Sequence, residues 1–200
     1  MPLSPIDLSR TTIPAIVLCG GTSRRLAGRD KTRESLAGTT VMDHLLDALP
    51  SAWSVVCVGE ERATTRLVRW CRESPVGGGP VAGIAAGLDD LERLRAEICV
   101  VVGGDMPFAA AALPMLVEAL NAQPELDAVL AADPDGRRQP LLAAYRCAPL
   151  RAALPLEPGG ARLMAVIDTL VAGTVACEVK ITLDVDTPEA LEQARHIVGT

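Results

Sequence analysis

Apolar residues occur along this chain in two kinds of run. The first kind is short and apolar apart from Ser54, and it covers residues 13–18, 53–58, 98–102 and 128–132. Runs of this length without polar positions are typical of strands that are buried on both faces. In the second kind, apolar residues recur three and four positions apart, as at Met42, Leu45, Leu46 and Leu49. That spacing predicts a helix with one buried face, which Pro50 ends.

The same alternation continues towards the C-terminus. Helices are predicted over residues 80–95, 113–120 and 161–170, and an extended segment over residues 175–185. A cluster of turn residues at 133–136 allows residues 140–145 to return antiparallel to the strand before it. Pro188 stands where proline commonly opens a helix, and this terminal helix carries apolar residues on one face.

Strands that alternate with helices predict an α/β fold with three layers, in which helices cover both faces of a mostly parallel sheet. Residues 140–145 would be its reversed strand. The chain has 200 residues, 49 % of them hydrophobic, which is enough for one well-buried core. We therefore expect a single domain over residues 13–200 and an N-terminal tail over residues 1–12. Ligands in such folds bind beyond the carboxyl ends of the strands.

Charge and cysteine content argue against several classes of function. The net charge is −6, lysine and arginine form no run and only 2 % of residues are aromatic, so nucleic acid is not expected as a partner. No apolar run reaches the ~18 residues of a membrane span, so no membrane partner is expected either. The six cysteines lack metal-site spacing and several lie in apolar runs, which predicts free, buried thiols. A soluble, cytoplasmic protein is predicted.

The first candidate for chemistry follows the first predicted strand. This segment, the glycine loop, has the sequence LCGGTSRRLAGRDK and runs from Leu18 to Lys31. Glycines let backbone N–H groups approach phosphate oxygens, while Arg24, Arg25 and Lys31 supply positive charge for a triphosphate and for departing pyrophosphate. The motif is neither a Walker loop nor a dinucleotide fingerprint. A turn with surface cations is the alternative.

Carboxylates follow two other predicted strands. Asp105, in GGDMPF, comes directly after the third buried strand, at the same edge as the glycine loop. Mg²⁺ usually takes one or two carboxylates from a protein, so Asp105 is a candidate metal ligand, with helix capping as the alternative. Strand alternation would place Asp184 and Asp186 on one side of their segment, and Asp186 is the better second ligand. That segment also fits a plain helix start.

Another glycine-rich segment, GGGPVAG, covers residues 77–83. Gly79 can bring the main chain close to a base or sugar, and Pro80 can open the following helix. A plain loop leading into a helix explains the same residues. His44 and His196 lack metal-site spacing and are expected at the surface.

Five segments together resemble the molybdenum cofactor guanylyltransferases, in order and in spacing. They are LCGGTSRRLAGRDK, GGPVAGI, GGDMPF, RQPLLAAY and DVDTPEAL, and the resemblance runs from about residue 13 to residue 195. The first and third segments carry most of its specificity. It implies a nucleotide-diphospho-sugar-transferase-like (Rossmann-like) α/β sandwich. It also implies Mg²⁺-dependent transfer of GMP from GTP to molybdopterin, giving the guanine dinucleotide cofactor and pyrophosphate.

The resemblance also implies roles for particular residues. Lys31 and Arg25 would neutralise phosphate charge and Asp105 would bind Mg²⁺, which makes these three the expected catalytic residues. Glu73 corresponds best to an acidic residue that precedes the glycine-rich segment in the family. With Gly79 added, the expected GTP contacts are Leu18, Cys19, Gly20, Gly21, Lys31, Glu73, Gly79 and Asp105.

Several positions depart from the family pattern. Glu73 replaces a usual Asp, Cys19 an Ala and Ala27 a Gly, while Gly59, Asp184 and Asp186 stand where Asn is common. These changes spare the phosphate and metal chemistry but touch contacts that select the base or the pterin. Transfer of CMP to the same pterin, or nucleotidyl transfer to another small molecule, is therefore the alternative within the class. A non-catalytic carrier of nucleotide or pterin is the alternative of another class. Molybdoenzymes are candidate recipients of the product.

Overall fold

The computed structural model describes residues 12–20 and 30–199, in which strands and helices alternate. The strands are β1 (Pro14–Leu18), β2 (Ser35–Leu36), β3 (Thr39–Thr40), β4 (Ser54–Val58), β5 (Arg69–Cys71), β6 (Ile98–Gly103), β7 (Ala128–Ala132), β8 (Arg138–Arg146) and β9 (Ala172–Ala176). The α-helices are α1 (Val41–Ala48), α2 (Pro80–Leu91), α3 (Leu113–Ala122), α4 (Cys147–Ala153), α5 (Leu163–Ile167) and α6 (Pro188–Gly199). Short 3₁₀ turns cover Lys31–Arg33, Glu92–Leu94 and Ala109–Ala111.

Seven of these strands form one sheet in the order β5-β4-β1-β6-β8-β7-β9. β1 lies between β4 and β6 and runs parallel to both. Among the described strands of this sheet, β8 is the one that runs antiparallel to its neighbours, β6 and β7. β2 and β3 form a separate two-stranded hairpin. The prediction of a mostly parallel sheet with a reversed strand at residues 140–145 is confirmed, and that strand extends further at both ends.

Alternate residues of β1 face two separate hydrophobic cores. Ala15 and Val17 pack in the core beneath α1 and α3, whereas Ile16 and Leu18 pack in the core beneath α2 and α5. All four are buried. Because both faces of this central strand are covered, its sequence is apolar throughout, as the pattern analysis expects.

The C-terminal segment differs most from the sequence-based prediction. The extended segment predicted over residues 175–185 is wrong, since β9 begins at Ala172 and ends at Ala176. Its neighbour β7 ends at Ala132. The pairing of these two strands ends with the hydrogen bond of 2.8 Å from Cys177 N to the Ala132 carbonyl. Without a partner strand, the chain beyond Cys177 leaves the sheet and turns towards Asp105.

Smaller differences have similar local causes. The helix predicted over residues 161–170 is α5, which is shorter because Arg162 is extended and the chain turns after Ile167. β5 was missed because its three residues include Arg69 and Trp70 and carry no apolar run. All six cysteines are free thiols, four of them buried and two half-buried, as predicted. Within the described ranges, no helix is long and apolar enough to cross a membrane.

Candidate active site

The carboxyl ends of β1, β4 and β6 are joined by backbone hydrogen bonds. Cys19 N donates to the Val58 carbonyl at 2.9 Å, and Gly104 N donates to the Leu18 carbonyl at 2.9 Å. A Cβ at Gly104 would lie 3.2 Å from that carbonyl oxygen, which is closer than a side chain normally comes. The missing side chain therefore lets the loop after β6 lie directly against the end of β1.

Three charged side chains meet at this edge of the sheet. The Lys31 ammonium contacts a carboxylate oxygen of Asp105 and one of Asp186. The side chains of Lys31 and Asp105 are 17 % and 15 % exposed, whereas that of Asp186 is 37 % exposed. The residues come from three separate segments, so the fold brings together a cation and two carboxylates that lie far apart in the sequence.

Asp186 reaches this cluster through the backbone of its neighbour. Val185 N donates to the Asp105 carbonyl at 2.9 Å, and the Val185 side chain is buried in a small core with Leu36, Val41 and Leu191. The expectation that Asp186 would lie on a strand is wrong, but its side chain still reaches the cluster because this anchor places it there. Asp184, on the other side of Val185, is exposed.

The protonation state of Lys31 reflects its two partners. Burial lowers the pKa of the ammonium group, but the charge of Asp105 and hydrogen bonds to both carboxylates outweigh it and raise the pKa above its ordinary value of 10.5. Lys31 is therefore fully protonated at neutral pH. It carries a fixed positive charge at the point where an anionic ligand would arrive.

A network that the sequence reasoning missed holds the turn on which Lys31 lies. Asp30 caps this 3₁₀ turn by accepting hydrogen bonds from Thr32 N at 3.0 Å and from Thr32 Oγ1 at 2.6 Å. Arg62 donates to Asp30 at 3.1 Å and also to the Thr32 hydroxyl, while its guanidinium lies 5.5 Å from the ring centre of Trp70. The position of Asp30 directly before Lys31 could have indicated that it supports the lysine. No pattern in the sequence indicated a role for Arg62.

Glu73 lies beside Gly20, at the carboxyl end of β1. Its Oε1 accepts a hydrogen bond from Gly77 N at 2.9 Å, and a Cβ at Gly20 would lie 3.6 Å from the same oxygen. Its Oε2 is buried and has no hydrogen-bond partner among the described residues. Buried carboxylate oxygens normally accept hydrogen bonds, so this oxygen is suited to a ligand that carries N–H groups.

Gly79 and Cys19 are two further predicted contacts within the described residues. Gly79 caps α2 with a φ of 86°, a backbone conformation that favours glycine. The Cys19 sulfur is buried and lies 3.2 Å from the Met42 sulfur. Cys19 can therefore contact a ligand only through its backbone. The predicted residues Gly21 and Arg25 lie outside the described residues.

The carboxylates of Asp105 and Asp186 are the candidate metal ligands. Both approach one cation, the Lys31 ammonium, so their oxygens converge on a common region. Two carboxylates suit Mg²⁺, which keeps several waters and takes further oxygens from substrate phosphates. No group of three or more His, Cys, Asp or Glu side chains with metal-site geometry occurs within the described ranges. The donor set therefore fits a metal that arrives with a phosphorylated ligand.

Comparison with known proteins identifies the family. The family described as the MobA-like NTP transferase domain matches residues 15–172. The chain belongs to this family. It is therefore an enzyme of the nucleotidyltransferase type, and the family match includes the ends of β1 and β6 and their loops.

Two curated relatives carry the name molybdenum cofactor guanylyltransferase. That of Rhodopseudomonas palustris is 29 % identical over 141 residues, which are 67 % of this chain and 67 % of the relative. That of Opitutus terrae, named as probable, is 35 % identical over 111 residues, which are 54 % of each chain. These alignments thus leave a third or more of each relative uncovered.

Solved structures with the same fold cover nearly all of the chain. A molybdopterin-guanine dinucleotide biosynthesis protein A from Archaeoglobus fulgidus has a TM-score of 0.71 at 25 % identity and covers 94 % of this chain and 99 % of its own. A Mycobacterium tuberculosis protein solved in complex with manganese has a TM-score of 0.69 at 18 % identity and covers 93 % and 99 %. The expected nucleotide-diphospho-sugar-transferase-like α/β sandwich is confirmed.

Proposed function

We propose that this protein is a molybdenum cofactor guanylyltransferase that transfers GMP from GTP to molybdopterin and releases pyrophosphate. The observation that carries the proposal is the cluster of Lys31, Asp105 and Asp186 at the edge of the sheet where β1 and β6 end. The names of the relatives and of the Archaeoglobus structure support the choice of substrates. We further propose that residues 13–200 act as one domain in the cytoplasm and that molybdoenzymes receive the product.

In the proposed reaction, the terminal phosphate of molybdopterin attacks the α-phosphorus of GTP. A bond forms between an oxygen of the molybdopterin phosphate and the α-phosphorus. The bond between the α-phosphorus and the oxygen that bridges to the β-phosphate breaks, and pyrophosphate leaves. An ionised phosphate needs little help from a general base, so positioning and charge neutralisation supply most of the rate. The Lys31 ammonium, with Arg25 as a further predicted cation, would neutralise the phosphate oxygens.

Asp105 and Asp186 are the residues that would hold Mg²⁺. When bound, the ion would supply positive charge to the triphosphate and to the departing pyrophosphate. The Lys31 ammonium would add a second positive charge beside the phosphate oxygens. The backbone hydrogen bond from Val185 N to the Asp105 carbonyl joins the two segments that carry these carboxylates.

Glu73 is the residue that we propose selects guanine. Guanine presents two adjacent N–H donors on its Watson–Crick edge, whereas cytosine presents one amino group next to an acceptor nitrogen. The buried Oε2 of Glu73, which has no partner among the described residues, matches a pair of donors better than a donor next to an acceptor. Each hydrogen bond to a charged group contributes about 1.5–3 kcal/mol. Glu73→Gln should thus reduce the preference for GTP over CTP by about 10-fold to 100-fold.

The test is to incubate the purified protein with molybdopterin, Mg²⁺ and either GTP or CTP and to measure pyrophosphate and the dinucleotide. We expect the guanine dinucleotide, and Asp105→Asn should lower its rate by about 100-fold or more. Asp89→Asn, a substitution of an exposed carboxylate on α2, is the matched control and should not change the rate. Product with CTP alone would assign the protein to the cytidylyl branch. Nucleotide binding without any product would instead support a carrier.

A further inference from the structure

Two cysteines lie in contact near the amino-terminal edge of the sheet, away from the candidate active site. Cys99 is the second residue of β6, and Asp105 lies beyond the other end of that strand. The strand alone advances by four residues between Cys99 and Gly103, which is about 13 Å at 3.3 Å per residue. The proposed nucleotide chemistry makes no use of this pair.

The register of β6 and β8 brings the two thiols together. Cys99 is paired with Tyr145, and Cys147 N donates to the Glu97 carbonyl at 2.9 Å, so the antiparallel pairing continues past the end of β8. Alternation then places Cys99 and Cys147 on the same face of the sheet. The buried Cys99 belongs to the hydrophobic core beneath α2 and α5, and the half-buried Cys147 packs against that core.

The two cysteines differ in their access to solvent. Cys99 is fully buried. Cys147 is half-buried and lines a cavity of about 270 Å³ between α2 and α4, whose wall also includes Arg95 and Arg151. A molecule of a few atoms that enters this cavity can therefore reach Cys147.

Electrostatics at Cys147 favour the thiolate. The hydrogen bond from Cys99 lowers the pKa of Cys147, and the charge of Arg151 lowers it further against the opposing effect of burial. Arg151 is held in place by hydrogen bonds to Asp89 at 2.6 Å and to the Leu88 carbonyl at 2.7 Å. A partly accessible thiolate beside a cation and a second thiol is the environment of a redox-active cysteine.

The other half-buried cysteine, Cys71, provides a contrast within the same chain. Burial, followed by the negative charge of Asp90, raises its pKa to about 11. Cys71 thus has comparable exposure but little thiolate at neutral pH. It serves as an internal control for the reactivity of Cys147.

We propose that Cys147 is a peroxide-reactive thiol and that Cys99 is its resolving partner. The Cys147 thiolate attacks one oxygen of a hydroperoxide, the O–O bond breaks, and the leaving alkoxide or hydroxide takes a proton. Cys147 becomes a sulfenic acid. The Cys99 sulfur then attacks the Cys147 sulfur, a disulfide forms, and the hydroxyl group leaves as water with the Cys99 proton. Two thiols are oxidised by two electrons, and one hydroperoxide is reduced to an alcohol or to water.

The first test compares the rates at which iodoacetamide alkylates Cys147 and Cys71 in the folded protein at pH 7. Because the pKa of Cys147 lies below 9.0 and that of Cys71 is about 11, their thiolate fractions differ by at least about 100-fold. The lower nucleophilicity of the more acidic thiol removes roughly 10-fold of this difference. We therefore expect Cys147 to react at least about 10-fold faster. Equal rates, or a faster reaction at Cys71, would overturn the proposal.

The second test treats the full chain with hydrogen peroxide, blocks the remaining thiols and maps the products by mass spectrometry. We expect a disulfide between Cys99 and Cys147. Cys99→Ser should accumulate a sulfenic acid at Cys147 that dimedone traps, Cys147→Ser should form neither product, and Cys71→Ser should behave as the parent does. Circular dichroism confirms that each variant is folded. Peroxide oxidation that spares Cys147, or that gives its sulfenic acid without any disulfide in the parent chain, contradicts the proposal.

Discussion

Replacing Lys31 by methionine removes a positive charge that two carboxylates share while retaining much of the side-chain volume. Two unit charges in contact attract by about 4 kcal/mol at the effective dielectric constant near a protein surface, and desolvation offsets part of that energy. The ion pair of Lys31 with Asp105 is largely shielded from solvent, because the two side chains are 17 % and 15 % exposed. The ion pair with Asp186, which is 37 % exposed, contributes less because water screens it. We expect a loss of about 2 kcal/mol in the free energy of unfolding.

A loss of this size should lower the melting temperature by roughly 4–8 °C in a domain of this length. The assay is urea and thermal unfolding of the parent and variant. Lys180→Met is the matched control, because lysine occurs only twice in the chain and Lys180 pairs with Glu178 at 54 % and 74 % exposure. Pairs at the surface contribute little, so this variant should lose less than about 0.5 kcal/mol.

The pH dependence gives a second check on Lys31. Since its pKa is raised in the folded protein, its stabilising effect is fully present below the unfolded value of 10.5 and is lost as the pH rises through the folded pKa. The difference between parent and Lys31→Met should therefore be constant from neutral pH to about pH 10 and decline above it. Equal unfolding energies for Lys31→Met and Lys180→Met at neutral pH would refute the assigned ion pairs.

Three further substitutions test how the fold supports the site. Gly103→Ala would place its Cβ against Asp105 Oδ1, so we expect the carboxylate to shift. The steady-state rate of nucleotidyl transfer should fall by about 10-fold or more, while thermal unfolding changes little. Gly87→Ala would bring a methyl group to 2.5 Å from Ile16 Cγ2, and overpacking of about 1–3 kcal/mol should exceed the gain in helix propensity, measured by urea unfolding. Arg62→Met should loosen the turn that carries Lys31, and it should raise KM for the nucleotide more than it changes kcat. An unchanged KM would show that the turn does not need Arg62.

Patterns within short stretches of sequence were sufficient for most of the fold. The runs that became β1, β4, β6 and β7 are apolar apart from Ser54, because each strand is covered on both faces. The helical spacing that predicted α1 and α3 depends only on neighbours three and four positions away. The edge strands β5 and β9 were missed or misplaced because partial exposure weakens the apolar signal.

Candidate chemistry was predictable where a functional residue directly follows a strand. Asp105 could be placed near the glycine loop because parallel strands end at a common edge. Its contact with Lys31 required the structure, as did the support that Arg62 gives to the lysine turn. Neither contact follows from spacing along the chain.

The sequence by itself determined the order of the central strands and of the helices α1, α2 and α3, the apolar character of those strands and the loops that could meet a nucleotide. Only the tertiary structure decided that Lys31 contacts Asp186, 155 residues away, and that Cys99 lies against Cys147. The physical reason is that periodicity records which face of an element is buried, whereas contacts between distant segments depend on how strands are ordered in the sheet and where the chain leaves it.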